Sequence, residues 1–370
     1  MKINSNKENL LKGLQTIQTG VSSKTGTIPI LQNFLMETKD AGLKIVFTDL
    51  EMAIKHFIKV DIEKEGSVTI PMKKFVEIVH TLENSKDISI SVDTANKTTI
   101  NSGKSKFKVA GLPKADYPVI PDMDESNSFK IPALVLAEMI EKTIFSSSNE
   151  DERHFLNGLL WKADKKNFSM VATDGRRLAI NSNKDVKIKQ DFKIIVPSKI
   201  LNELVKFIKS SSFKEKDEML IGLSSNQIGF KIDKTVFVSR LIEGNFPAYE
   251  QIIPKAPEFD INLDTQKLFD ITKRAVICSN ERNGVVKYEF KKNILIVKAS
   301  SQNMDFEDEM DIEYEEKSFQ INFNPKYIMD VLKNIGDKQI VFKFTSSSTP
   351  IIIESVKNKN LLYIVMPLRN

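Results

Sequence analysis

The sequence predicts an α+β protein built as three copies of one domain, each with two helices packed on antiparallel sheets. Two observations carry this. An apolar strand, a proline, a basic residue and an amphipathic helix recur in that order three times, and a strand of alternating apolar residues follows each time. The copies stand about 125 residues apart, a long period beside those of ordinary solenoids.

The elements follow in order. Val68-Thr-Ile-Pro71-Met-Lys-Lys, Ile195-Val-Pro197-Ser-Lys and Ile321-Asn-Phe-Asn-Pro325-Lys are the three signatures, and their prolines lie 126 and 128 positions apart. Helical spacing then sets in at Phe75, Val76 and Val79, at Ile200, Leu201 and Leu204, and at Ile328, Val331 and Leu332. A proline just inside a helix start suits its missing N–H. Period-2 strands come next at Ile88–Val92, Met219–Leu223 and Gln339–Phe344. An earlier helix opens each unit near Asn9–Gln18, Ala133–Ile144 and Thr265–Ile277. Thr48-Asp49 and Thr173-Asp174 close matching strands, and Leu112-Pro113, Phe246-Pro247 and Met366-Pro367 close the units. Acidic and proline-rich joins at Pro121–Ser128 and Pro247–Pro257 divide the chain into 1–124, 125–252 and 253–370.

Composition narrows the function. The start alternates polar and apolar residues and is no signal peptide, and no run approaches the roughly 18 apolar residues of a membrane helix. A cytoplasmic protein without membrane attachment is expected. Cys278 is the only cysteine, so no disulfide can form within the chain. His56, His80 and His154 lie far apart, without metal-ligand spacing, and no cofactor is implied. Net charge is only +5, so the placement of lysines matters more than their sum. Every expected helix bears them: Lys12, Lys142, Lys267 and Lys273 on the first helices, and Lys73, Lys74, Lys199, Lys206 and Lys333 on the second. Any one of these reads as a solvated face, but their recurrence on equivalent helices fits sequence-independent contact with phosphates. Helix-turn-helix, zinc-finger and RNA-binding signatures are all missing, so such contact grips backbone and reads no bases.

Thr48-Asp-Leu-Glu-Met52, Ser102-Gly-Lys-Ser-Lys-Phe107, Leu156-Asn-Gly158, Val171-Ala-Thr-Asp-Gly-Arg-Arg-Leu-Ala179 and Val365-Met-Pro-Leu-Arg369 occur in one threefold frame. Together they resemble the bacterial sliding clamp family, the beta subunit of DNA polymerase III, from residue 1 to residue 370. The resemblance implies the DNA-clamp fold, with two three-domain chains closing head to tail into a homodimeric ring around duplex DNA. It implies a non-catalytic processivity subunit of the DNA polymerase III holoenzyme. Implied partners are the polymerase alpha subunit, the clamp-loader delta subunit, and repair polymerases, ligase and mismatch-repair proteins.

The resemblance also implies three sites. A pocket for a partner's peptide comprises Leu156, Thr173, Gly175, Arg176, Arg177, Leu178, Pro247, Ile252, Pro350, Ile364, Met366, Pro367, Leu368 and Arg369; Arg176 stands where the family commonly has histidine. Read without it, Asp174-Gly175 between apolar strands is a tight-hairpin signal. DNA contacts are the helix lysines, Lys24 in the loop Ser22–Gly26, and Arg153, His154 and Phe155; the neighbouring loop is acidic, with Glu150 where a neutral amide is usual. The dimer interface pairs the basic strand Lys104, Lys106, Phe107, Lys108 and Val109 with acidic Glu307, Asp308 and Glu309. Ile277 and a buried Cys278 supply its apolar centre. Two other readings stay open at this level: a nuclease with dispersed acidic metal ligands, and a DNA-binding protein that forms no ring. No nucleophile–base constellation or phosphate-cradling Gly-rich loop favours an enzyme.

Overall fold

The computed structural model describes residues 1–18, 28–84, 87–148, 152–164, 166–188, 190–279 and 284–368. Among them are six α-helices: α1 (Lys7–Gln18), α2 (Met72–Thr81), α3 (Ala133–Ile144), α4 (Ser198–Ser210), α5 (Thr265–Cys278) and α6 (Pro325–Ile335). Each apolar stripe is buried as the spacing predicts, for example Phe75, Val76 and Val79 in α2 and Ile328, Val331 and Leu332 in α6. Only Pro325 lies inside a helix start; Pro71 and Pro197 close the preceding strands, paired with Asn33 and Gly158. At α6 the Asn324 side chain accepts from the Lys326 N–H at 3.0 Å, and left-handed Gly336 ends the helix.

The chain forms two compact units, Met1–Ala137 with Lys199–Leu241, and Glu138–Ser198 with Ile242–Asn370. The first unit holds an eight-stranded sheet, in the order Ser128–Pro132, Glu218–Leu223, Gln227–Ile232, Thr235–Arg240, Met52–Ile58, Gly42–Thr48, Asn33–Lys39 and Ser67–Pro71. The second holds another, in the order Phe259–Asp264, Gln339–Phe344, Ile351–Ser355, Leu361–Val365, Arg177–Asn183, Asn167–Thr173, Gly158–Asp164 and Phe192–Pro197. These are one topology twice, each sheet built from halves of neighbouring repeats, and the middle repeat gives four strands to each. The threefold period of the sequence therefore does not coincide with the packing units.

Strand register makes the correspondence exact to the residue. Leu35, Val46, Lys55 and Val236 form one cross-strand row in the first unit; Leu160, Val171, Ile180 and Leu362 form its counterpart in the second. The next rows are Thr48, Ala53, Val238, Gly229 and Thr173, Leu178, Ile364, Ile352. Leu112 bridges Thr69 as Ile242 bridges Ile195. With one residue more between the bridge and the aromatic in the first unit, Tyr117-Pro118 matches Phe246-Pro247, which corrects the expected landmark Leu112-Pro113. Tyr117 and Phe246 are both buried.

Each unit keeps one smaller sheet. In the first its order is Asp61–Lys64, Lys2–Ser5, Ile88–Val92, Lys97–Ser102 and Ser105–Ala110; in the second it is Asp305–Asp311, Ile294–Ser300, Val286–Lys291 and Phe319–Phe323. The second unit's core is rich in aromatic contacts, with Phe344 stacked on Phe290 and Phe319 at centroid distances of 5.3 and 4.3 Å.

Candidate functional site

The hairpin joining Asn167–Thr173 to Arg177–Asn183 is wider than the two-residue Asp-Gly turn expected. Thr173 Oγ1 donates to the Arg177 carbonyl at 2.6 Å and accepts from the Gly175 N–H at 3.0 Å. The Asp174 carboxylate accepts from the Arg176 and Arg177 N–H groups at 2.9 and 3.0 Å. Gly175 sits at φ +85°, where a side chain would be strained. Arg153 lies against this turn: a Cβ on Gly175 would stand 3.6 Å from its Nη2.

Strand Arg177–Asn183 pairs with Leu361–Val365, setting Leu178 beside Ile364. The chain end continues the contact, with the Met366 N–H donating to the Arg176 carbonyl at 2.9 Å and the Leu368 N–H to the Asn322 carbonyl at 2.8 Å. Segments nearly two hundred residues apart in sequence thus form one surface. An apolar cluster fills it: Leu160, Val171, Leu178, Ile195, Ile352 and Ile364 from the sheet, with Phe246 and Tyr249 over them. Burial pushes the Tyr249 hydroxyl up to about 12, with Glu250 adding to the shift.

The expected pocket residues divide into floor and rim. Leu178 and Ile364, at 1% and 0% exposure, are floor, as are Leu156 and Thr173. Gly175, Arg176, Pro247 and Ile252 are exposed, and Pro350, Met366, Pro367 and Leu368 are half-buried. Arg369 falls outside the described residues. Arg177 is corrected: it points to the opposite face from Leu178, as strand alternation requires. There its guanidinium binds Asp330 at 2.5 Å and Asp174 at 3.1 Å and lies 4.8 Å from the Tyr327 ring centroid, so it fastens the hairpin to α6. Phe155, expected at DNA, packs instead against the apolar cluster. Sequence reasoning missed Phe246, Tyr249, Ile242 and Ile352; the parity of Ile352 with Ile364 was the available signal for the last.

The basic residues differ in freedom. Lys12, Lys73, Lys267, Lys273 and Lys333 are exposed and make no ion pair among the described residues. Lys74 pairs with Glu77 at 2.9 Å, Lys142 with Glu138 at 2.6 Å and Lys206 with Glu203 at 2.8 Å. Lys199 is held by Asp49 at 2.5 Å and Glu51 at 3.2 Å. Burial opposes its charge, but the two carboxylates outweigh that and raise its pKa. Each of these four starts from an ion pair within the chain, which a phosphate contact would have to exchange. His154 is exposed in a short 3-10 turn. Lys24 and Glu150 lie outside the described residues.

Of the four edges of the two smaller sheets, two carry opposite charge, the others being Asp61–Lys64 and Phe319–Phe323. Ser105–Ala110 ends the five-stranded sheet and Asp305–Asp311 the four-stranded one. Lys106 and Lys108 share an exposed face, with half-buried Phe107 and Val109 behind. Lys104 stands one residue before the strand. Glu307 and Glu309 are exposed with Asp305 and Asp311. Asp308 is corrected: it lies on the other face with Phe306 and Met310, held by Arg274 of α5 at 2.5 Å. Ile277 is 69% exposed. Cys278 is half-exposed in the single chain and packs against the second unit's core.

Among the described residues no cluster of three or more His, Cys, Asp or Glu side chains could hold a metal ion, and no helix is long and apolar enough to cross a membrane.

Comparison with known proteins gives this arrangement a context. Residues 1–121, 130–248 and 250–369 match the N-terminal, central and C-terminal domain models of the DNA polymerase III beta subunit. The chain is 33% identical to the beta sliding clamp of Haemophilus influenzae over the whole of both chains. It superposes on the DNA polymerase sliding clamp of Bacillus subtilis with a TM-score of 0.94 at 29% identity, covering 100% of this chain and 99% of that one. The sliding clamp of Pseudomonas aeruginosa bound to griselimycin superposes with a TM-score of 0.93 at 29% identity, with both chains fully covered. The chain belongs to the DNA polymerase III beta subunit family.

Proposed function

From this membership and from the two open strand edges, we propose that the protein is a sliding clamp: a non-catalytic, cytoplasmic homodimer that encircles duplex DNA. Through its peptide surface it tethers the polymerase alpha subunit, the clamp-loader delta subunit and further partners, such as repair polymerases, ligase and mismatch-repair proteins. Such a ring confers processivity without tight binding, because a closed link can slide yet cannot fall off.

The observation that carries this reading is the pair of unfinished sheets. In both eight-stranded sheets, the strand of Val236 or Leu362 pairs with the strand of Lys55 or Ile180. The smaller sheets stop at the equivalents of those two strands. Phe107, paired to Ile100 and through it to Ile90, takes the place of Phe237 and Tyr363, so Lys106 corresponds to Val236 and Lys108 to Val238. Counting from the residue before the second helix's cap, Val286–Phe323 matches Phe34–Ile70, so Lys298–Glu307 matches Val46–Lys55. A second copy therefore completes a third sheet of the same order, and its register sets Lys106 opposite Glu307, Lys108 opposite Asp305 and Lys104 opposite Glu309. A basic edge meeting an acidic one in head-to-tail fashion closes a ring. The free lysines of α1, α2, α5 and α6 supply sequence-independent phosphate contacts for the enclosed duplex.

Charge reversal tests the register. Lys104→Glu with Lys106→Glu should convert a dimer of about 84 kDa, twice the 42.0 kDa chain, into monomers. Adding Glu307→Lys and Glu309→Lys should restore the dimer. A wild-type monomer at micromolar concentration by light scattering would contradict the proposal.

A further inference from the structure

The first unit's eight-stranded sheet has the same order and register as the sheet that carries the apolar surface, yet its outer face is covered by the chain itself. Leu35, Val46 and Tyr117 are buried there, with Ile30 and Ile120 against them. They correspond to Leu160, Val171 and Phe246 with Phe155 and Tyr249 in the second unit. Beyond them the two faces diverge. Ile180, Leu178 and Ile352 are replaced by Lys55, Ala53 and Gly229, and the linker after Ile120 runs across the space this leaves.

Specific contacts seat that linker. Lys55, buried in the sheet, donates to the Pro121 carbonyl at 2.8 Å and to Asp122 Oδ1 at 2.7 Å. The Met123 side chain lies directly on Gly229: a Cβ there would come within 2.5 Å of Met123 Cγ. A Cβ on Gly222 would meet the Asp124 carbonyl oxygen at 2.1 Å and Met123 Cε at 2.7 Å. Lys231, in the same row as Lys55 and Val236, pairs with Glu125 at 2.6 Å. The two glycines thus form a cradle that any larger residue would close, and a flexible methionine occupies it.

We propose that the first unit carries a second, latent copy of the partner-peptide groove, and that the linker Ile120–Asp124 is its built-in occupant. Met123 takes the position of an apolar anchor, and Lys55 grips the linker backbone and Asp122. Each chain consequently offers one open peptide site, although its fold provides two. The proposal rests on the peptide reading of the second unit's surface. It adds that displacement of the linker exposes a groove that keeps the apolar wall of Leu35, Val46 and Tyr117 and has Lys55 where the second unit has Ile180.

Two variants release the linker from opposite sides. Gly229→Ala places a methyl group in the cradle, and Met123→Gly removes the anchor. Cleavage of the linker at Asp122 by an Asp-specific protease should speed about tenfold or more in both, the scale of losing one apolar anchor. Calorimetric titration of each full-length dimer with a peptide bearing glutamine followed by spaced leucine and phenylalanine should give one peptide per wild-type chain, two per Met123→Gly chain, and one per Gly229→Ala chain, whose added methyl group closes the cradle. Affinity at the first site should not change. Faster cleavage in Met123→Gly with stoichiometry fixed at one overturns the latent site, and unchanged cleavage in both variants overturns the seated linker. A wild-type chain that binds no peptide counts against the second unit's reading instead, and the cleavage arm then decides alone whether the linker is a displaceable occupant.

Discussion

Lys55, Ala53, Gly229 and Thr69 stand in the first eight-stranded sheet where Ile180, Leu178, Ile352 and Ile195 stand in the second. Strand order, the Thr-Asp hairpins and the buried aromatic of Tyr117 or Phe246 are the same in both. Hydrogen-bonded topology is therefore the shared scaffold, and a few side chains decide whether the chain's own linker is seated on it, as Met123 is on Gly229. The third pair of edges extends the contrast. Where Val236 meets Lys55 and Leu362 meets Ile180 in the complete sheets, Lys106 and Glu307 leave charge on an unfilled edge, which also guards a lone chain against promiscuous strand pairing.

The contrast can be broken most severely at the chain end, where the second sheet has Met366–Leu368 tied to the hairpin and to Asn322. Deleting residues 366–370 should abolish binding of the glutamine–leucine–phenylalanine peptide in fluorescence anisotropy. Interface energy concentrates in a few buried anchors, and this removes several at once. Mass should remain that of a dimer, because the proposed subunit edges lie elsewhere. Undiminished affinity would mean that the surface is misplaced.

The hairpins offer a second comparison. Arg177 fastens its turn to α6 through Asp330, whereas its counterpart Met52 carries no charge, and Lys199 reaches Asp49 instead. Arg177→Met should lower unfolding stability by about 3 kcal/mol, because Asp330 loses its partner in a mostly buried setting. Lys199→Met should cost as much or more, since the Asp49 side chain it strands is only 2% exposed against 30% for Asp330. Chemical denaturation of both variants measures the difference.

The smallest effect belongs to His56 in the first unit. Burial, helped by Lys234 and Lys12 against Asp233, lowers its pKa to about 4, and its ring Nδ1 lies 2.9 Å from Thr235 Oγ1. The unfolded chain takes up this proton near pH 6.5 while the folded chain does not. The penalty is therefore absent above that pH, grows as pH falls toward 4, and then levels off. His56→Gln should flatten the fall in melting temperature between pH 6.5 and 4; identical pH profiles for the two proteins would show that His56 is not protected from protonation.

Much of this was legible in the sequence because the signals were periodic. Helix stripes such as Phe75, Val76 and Val79 repeat at a spacing set by helix geometry, and all six helices lie where that spacing places them. What escaped was set by contacts between distant segments. Tyr117-Pro118 was overlooked because the bridge Thr69–Leu112 fixes its register, and no local pattern reports a bridge. Arg177 looked like a neighbour of Arg176 until strand alternation turned it toward Asp330. Phe155 looked free to meet DNA because its packing partners come from the sheet and from the segment around Phe246. The peptide pocket and DNA contacts were named through family resemblance; what the chain's own geometry adds is which of those residues are floor, rim or staple.

The proposed clamp holds DNA by a topological link between a closed ring and the duplex. Loading the protein onto nicked circular DNA, then cutting the circle once, tests it most directly. The protein should stay on the circle and leave the linear product, while binding to short linear duplex stays weak and weakens further with salt. Equal retention on the circular and linear molecules would contradict it.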